Sequence, residues 1–103
     1  MAELNKNAYP YIDKMIGIAQ QNPCLVKVEG HTDNVPINTS EFSSNWELST
    51  ARAVNILRYL LEKGKLPADR LAAVGFSQYH PVASNATPEG RQRNRRVEFY
   101  FEL

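Results

Sequence analysis

The chain has 103 residues, 43% of them hydrophobic, with 12 basic against 11 acidic side chains and a formal charge of +1. That length favours one domain with a modest core. Near-neutrality supplies no broad field for nucleic acid or an anionic membrane, and a lone Cys24 excludes an internal disulfide and a cysteine-based zinc cluster.

Leu4, Ala8, Tyr11, Ile12, Met15, Ile16 and Ala19 recur at helical spacing. Pro10 is tolerated only in a first turn, which predicts a helix over about Ala8–Gln21, closed by Asn22-Pro23. "MAELNK" runs straight into this pattern without a leading element, as a piece of a longer chain would. No signal-peptide pattern or transmembrane run is present. In "CLVKVEG", Val26 and Val28 alternate with Lys27 and Glu29, predicting a strand over Leu25–Gly30.

A long polar loop, "HTDNVPINTSEFS", follows. Loops of that length on a compact scaffold are often functional. Ser44 and Glu47 have capping-box spacing and open a second helix near Asn45. Its expected buried stripe is Trp46, Ala53, Val54, Leu57, Leu60 and Leu61, and Gly64 is a natural stop. "LAAVGFS" (71–77) reads as a strand, then a loop with Pro81, Asn85 and Pro88, then the strand "VEFYFEL" with Val97, Phe99 and Phe101 on one face. Helix, strand, helix, strand, strand predicts an α+β sandwich, with a parallel pair formed by a right-handed crossover and helices on one face of the sheet.

In such sheets ligands sit beyond the carboxyl ends of the strands. Asp33 lies just past one such end, the next helix N-terminus favours anions, and Arg52 lies two turns into that helix. An Asp–Arg pair there could receive a zwitterion, the carboxylate taking an ammonium and the guanidinium fork a carboxylate. The plainer alternative is a turn-capping Asp33 and a surface salt bridge at Arg52.

Three other chemistries compete. His31 and Asp33 could supply two metal ligands, but the other histidine, His80, belongs to a separate loop, so no metal is expected. Cys24 with His31 and Asp33 has the types of a thiol triad, yet Cys24 opens a strand among apolar neighbours, where a buried inert thiol is commoner. "GRQRNRR" (90–96) concentrates four of the basic residues and could grip phosphates, but without interleaved aromatics it reads as a solvated basic turn. The tyrosines are too scattered to form a carbohydrate platform. Trp46 reads as a hydrophobic anchor under the loop rather than an exposed sugar-stacking face.

Together, "VEGHTDN", "NWELSTARA", "VGFSQYHPVASN" and "TPEGRQRNRRVE" resemble the OmpA-like peptidoglycan-binding domain from Val26 to Phe101. The longer segment "DNVPINTSEFSSNWELS" resembles the branch of that family formed by flagellar-motor stator B subunits. The resemblance implies a strand–helix–strand–helix–strand–strand fold over residues 1–103, with the first strand missing or cut short ahead of "AELNKNA". It also implies site roles. Asp33 would hold the ammonium of diaminopimelate in the peptidoglycan stem peptide, and Arg52 a carboxylate of the same residue. Asn45 would make a polar contact and Leu48 line the groove. Arg95 would frame the ligand, with Thr32 and Asn34 contributing from the loop, while Asn94 would tie the final turn to the neighbouring loop.

The function so implied is non-covalent and non-enzymatic. The domain would anchor a stator to the cell wall from the extracytoplasmic side of a membrane. Its partners would be peptidoglycan, a stator A subunit reached through an upstream transmembrane segment, and a second copy of the chain. No cofactor and no nucleic acid would be involved. A wall tether without a motor role, and a cell-wall hydrolase, are the alternatives. The second has no positioned carboxylate pair or activated nucleophile to support it.

Overall fold

The computed structural model describes residues 8–102. Helix α1 (Tyr9–Gln21) carries Pro10 in its first turn and buries Ile12, Ile16 and Ala19. Asn22 leaves in an extended conformation and returns its side-chain amide to the Ile18 carbonyl. Strand β1 (Leu25–His31) follows, then α2 (Asn45–Glu62), β2 (Leu71–Gly75), α3 (Pro88–Asn94) and β3 (Arg96–Glu102). The expected first strand falls outside the described residues.

The sheet has the order β2-β1-β3. β1 runs parallel to β2, with Val26 opposite Leu71 and Gly30 opposite Gly75, and antiparallel to β3, with Val28 opposite Phe99 and Glu29 opposite Glu98. Alternation then sorts the two faces. Val26, Val28, Ala73, Phe99 and Phe101 pack with Ile12, Ile16, Ile56 and Leu60 in one core beneath α1 and α2. Lys27, Glu29 and His31 point to the opposite face.

Two glycines at the carboxyl ends of the parallel pair let α2 settle close to the sheet. A Cβ on Gly30 would come within 2.0 Å of the Ser49 carbonyl oxygen, and one on Gly75 within 2.2 Å of Thr50 Oγ1. This close approach brings the first turns of α2 beside the end of β1. At the other end of β1, Arg70 donates to the carbonyls of Ala19, Asn22 and Cys24 and so joins the end of α1 to the strand.

Several features differ from the sequence reading. Tyr11 is exposed, and α2 buries Leu48, Ala53, Ile56 and Leu60, with Val54, Leu57 and Leu61 only half-buried. The basic stretch expected as a solvated turn is largely helix α3. Thr87 caps it by accepting from the Gly90 N–H, with Pro88 in the first turn. Being seven residues long and without an apolar stripe, it gives no periodic signal. Trp46, expected in the core, is 49% exposed and meets the Tyr79 ring of the loop after β2.

Candidate ligand-binding cleft

The loop leaving β1 is fixed by short-range bonds. Asp33 Oδ1 accepts from the Val35 N–H at 3.0 Å, an Asx turn, and the Thr32 hydroxyl donates to the Asp33 carbonyl at 2.8 Å. The Thr32 N–H bonds the Ser77 carbonyl, which ties this loop to the one after β2. The Asn45 amide bridges both: its Nδ2 donates to the carbonyl of Val35 at 3.1 Å and to Gln78 Oε1 at 3.2 Å. Ser44 caps α2 by accepting from the Trp46 N–H and donates its hydroxyl to Glu47, holding that carboxyl below its usual range. Ser44 is thus the N-cap expected from sequence, capping through the Trp46 N–H and the Glu47 carboxylate.

Asp33 is buried, and its Oδ2 accepts from Arg95 Nη1 at 2.6 Å. Arg52 reaches the same place from α2 and donates to the His31 carbonyl at 3.4 Å. Among the described residues no carboxylate pairs with Arg52. Burial, and then the charge of Arg95, push its proton affinity down, while Asp33 opposes them. Two guanidinium charges against one carboxylate leave one positive charge at the strand ends. A half-buried surplus cation favours an incoming carboxylate. Asp33, paired with a side chain that is itself 43% exposed, can exchange that partner for another cation.

The structure thus gathers Asp33, Arg52, Asn45, Arg95 and Thr32. Thr32 is buried, with its hydroxyl turned to backbone. Asn34 is exposed on the loop. Leu48 is 6% exposed beneath the first turns of α2. Gln78 and Tyr79, which sequence reasoning did not single out, line a neighbouring cleft with Pro36, Asn45 and Trp46. They lie 33 or more residues from their partners Asn45 and Trp46, and no local pattern connects them.

The rival chemistries are rearranged. Cys24 is buried near Arg70 at the start of β1, a whole strand away from His31 at its end, so no thiol triad assembles. His31 gathers not with Asp33 but with Glu29 and Glu98, at 3.5 and 3.9 Å from Nε2. Both of those carboxylates are already engaged, Glu29 by Lys27 at 3.1 Å and Glu98 by Arg96 and the Tyr100 hydroxyl. In the basic stretch, Arg91 bonds the Asn85 carbonyl, Arg95 bonds Asp33 and Arg96 bonds Glu98, so three of its four guanidiniums serve intramolecular contacts. Asn94, fully buried, does tie α3 to the preceding loop. It accepts from the Val82 and Ala83 N–H groups and donates to the Ala83 carbonyl and Asn85 Oδ1.

A helix-covered mixed sheet with a surplus-positive cluster at its strand ends and a small cleft beside it defines the class of fold. The chain belongs to the OmpA family, whose model matches residues 1–95. It is 47% identical over 98 residues to Motility protein B of Bacillus subtilis, covering 94% of this chain and 38% of that protein. It is 45% identical over 73 residues to the peptidoglycan-binding protein ArfA of Mycobacterium tuberculosis, covering 71% of this chain and 21% of that one. The C-terminal domain of Helicobacter pylori MotB superposes with a TM-score of 0.91 at 28% identity, covering all of this chain and 79% of that structure. The chain spans about two fifths or less of the length of these two curated relatives.

Proposed function

We propose that this chain is the wall-binding domain of a larger, membrane-anchored protein of the flagellar stator B-subunit type. In this reading it holds peptidoglycan non-covalently, without catalysis, through diaminopimelate in the stem peptide. The observation that carries the reading is the surplus positive charge of Arg52 beside Asp33, in a chain 47% identical to a motility protein. The second, zwitterionic centre of diaminopimelate matches that pattern. Its carboxylate meets the Arg52 fork, and its ammonium takes the place of Arg95 on Asp33. Asn45 and Thr32 hold the lip of the cleft in position, Leu48 supports it from below, and Asn34 lies at its exposed edge.

The domain faces the wall from outside the cytoplasmic membrane, as a dimer whose stator A partner is bound by segments elsewhere in the protein. One such clasp is worth only a few kcal/mol after desolvation. Firm anchoring therefore comes from several domains engaging the wall together. A wall tether without a motor role is the second reading, favoured by the similarity to ArfA. An upstream acidic residue within a transmembrane helix distinguishes the motor protein from that tether.

Co-sedimentation with purified walls tests the proposal. The folded domain is expected to pellet with diaminopimelate-type peptidoglycan and to stay in solution with lysine-type walls, whose side chain lacks the second carboxylate. Asp33→Ala and Arg52→Ala each abolish pelleting while leaving the fold intact. Folded wild type that stays in the supernatant with both wall types contradicts the proposal.

A further inference from the structure

Asp33 is occupied from within the chain. Its Oδ1 accepts from the Val35 N–H, and the one partner of Oδ2 among the described residues is Arg95, at 2.6 Å. The arm that carries this guanidinium stands on a fixed base. Asn94 beside it is fully buried and bonded to Val82, Ala83 and Asn85 of the preceding loop, and the Arg95 N–H bonds the Arg91 carbonyl. The side chain itself is 43% exposed, and the bond to Asp33 is the only hydrogen bond its guanidinium makes among the described residues. Arg95 can therefore turn into solvent by changing rotamer, with the backbone held still. Two charges act on it in opposite senses. Asp33 attracts it, whereas Arg52 repels it, and that repulsion, second to burial, lowers the proton affinity of Arg52.

We infer that Arg95 is an internal competitor for Asp33, and that it restricts the site to ligands bearing an ammonium and a carboxylate together. This rests on the diaminopimelate reading given above. A buried carboxylate left without a partner is costly and would attract any small cation. With Arg95 in place, a ligand that brings only an ammonium, such as a lysine side chain, exchanges one charge-assisted bond for another and leaves both guanidiniums without a carboxylate. A ligand that brings only a carboxylate meets Arg52, leaves Arg95 undisturbed and makes a single contact. A ligand with both groups gives up one bond and makes two, at Asp33 and at Arg52. Displacing Arg95 weakens every ammonium by the same factor, so it acts as a threshold that the zwitterion alone clears. A ligand-contacting Arg95 would have the opposite sign, because its removal would weaken binding.

The experiment titrates the folded wild type and Arg95→Gln calorimetrically with three stem peptides. One contains diaminopimelate, one contains lysine, and one contains 2-aminopimelate, which keeps the distal carboxylate and lacks the distal ammonium. Arg95→Gln, checked for unchanged thermal melting, is expected to bind both ammonium-bearing peptides about three- to tenfold more tightly than wild type. That gain lies between the effect of an exposed ion pair and that of a buried charge-assisted bond. The carboxylate-only peptide should bind the variant no better than it binds wild type, since it never displaces Arg95. Arg95→Lys, which restores a cation on the same backbone position, should return the affinity for the lysine peptide towards the wild-type value.

Wild type that binds the diaminopimelate peptide, with a folded Arg95→Gln that binds it equally or more weakly, overturns the competitor and leaves the diaminopimelate reading standing. A gain shared equally by all three peptides also overturns it, because the effect would then not belong to the ammonium. Failure of both folded proteins to bind the diaminopimelate peptide overturns that reading and the competitor with it.

Discussion

Two clusters of charge flank the last residues of β1, and they are built to opposite ends. On the sheet face away from the helices, Glu29 and Glu98 sit directly opposite one another in the antiparallel register. Like charges in that arrangement repel. Lys27, Arg96 and the Tyr100 hydroxyl answer them, and Tyr100 foremost, then Arg96, holds the Glu98 carboxyl below its usual range. Past the strand end, Asp33 faces two guanidiniums and, among the described residues, Arg52 has no carboxylate of its own. The first cluster closes on itself, whereas the second is left with a charge to neutralise. Charged residue types alone do not mark a binding site. An unbalanced charge beside an open cleft does.

The sharpest way to break this contrast is at Gly30, which lies between the two clusters. Gly30→Ala drives a methyl into the Ser49 backbone, and we expect a loss of roughly 3 kcal/mol on chemical denaturation, the upper range for overpacking. Ligand binding should weaken with it, because α2 carries Arg52 and must shift. Next in size is the unbalanced charge itself. Arg52→Gln should leave stability nearly unchanged and weaken stem-peptide binding by about ten- to a hundredfold in calorimetric titration, as expected for a lost charge-assisted contact.

The closed cluster should reveal itself through pH rather than binding. Burial first, and then Arg96, hold the His31 imidazole below its ordinary value, against the opposing pull of Glu98 and Glu29. A depressed folded-state value means the unfolded chain takes up the proton first. Stability is therefore full above the unfolded histidine value of about 6.5 and falls as the pH drops below it. Melting temperature should decline from pH 7.5 to 5.5, and His31→Leu should flatten that slope. A wild-type melting temperature that rises on acidification would contradict the burial argument. Smallest of all, Lys27→Ala removes a partly exposed ion pair and should cost under about 1 kcal/mol, with no change in ligand affinity.

How much of this was legible beforehand differs between the two clusters. Periodicity placed α1, β1 and α2 because each buries a stripe or alternates, and Ser44 with Glu47 announced the start of α2. Asp33 and Arg52 could be proposed as a pair because the strand end and the helix start lie close in sequence. The Asp33–Arg95 bond spans 62 residues and appears only once β3 has its register. The Glu29–His31–Glu98 group likewise depends on a cross-strand pairing that no local pattern encodes. Helix α3 is short and charged, and Pro88 at its start was read as part of a loop. Trp46 misled because periodicity assigns a face to a residue without showing what packs against it, here the exposed Tyr79 ring 33 residues away.

The most direct measurement is a titration of the isotope-labelled domain with a soluble diaminopimelate-containing stem peptide, followed by NMR. The account predicts the largest shifts at the amides of Thr32, Asp33 and Val35 and at the Arg52 guanidinium, with the Arg95 side chain released from Asp33. Shifts centred instead on Glu29, His31 and Glu98, or no shifts in the folded protein, would contradict it.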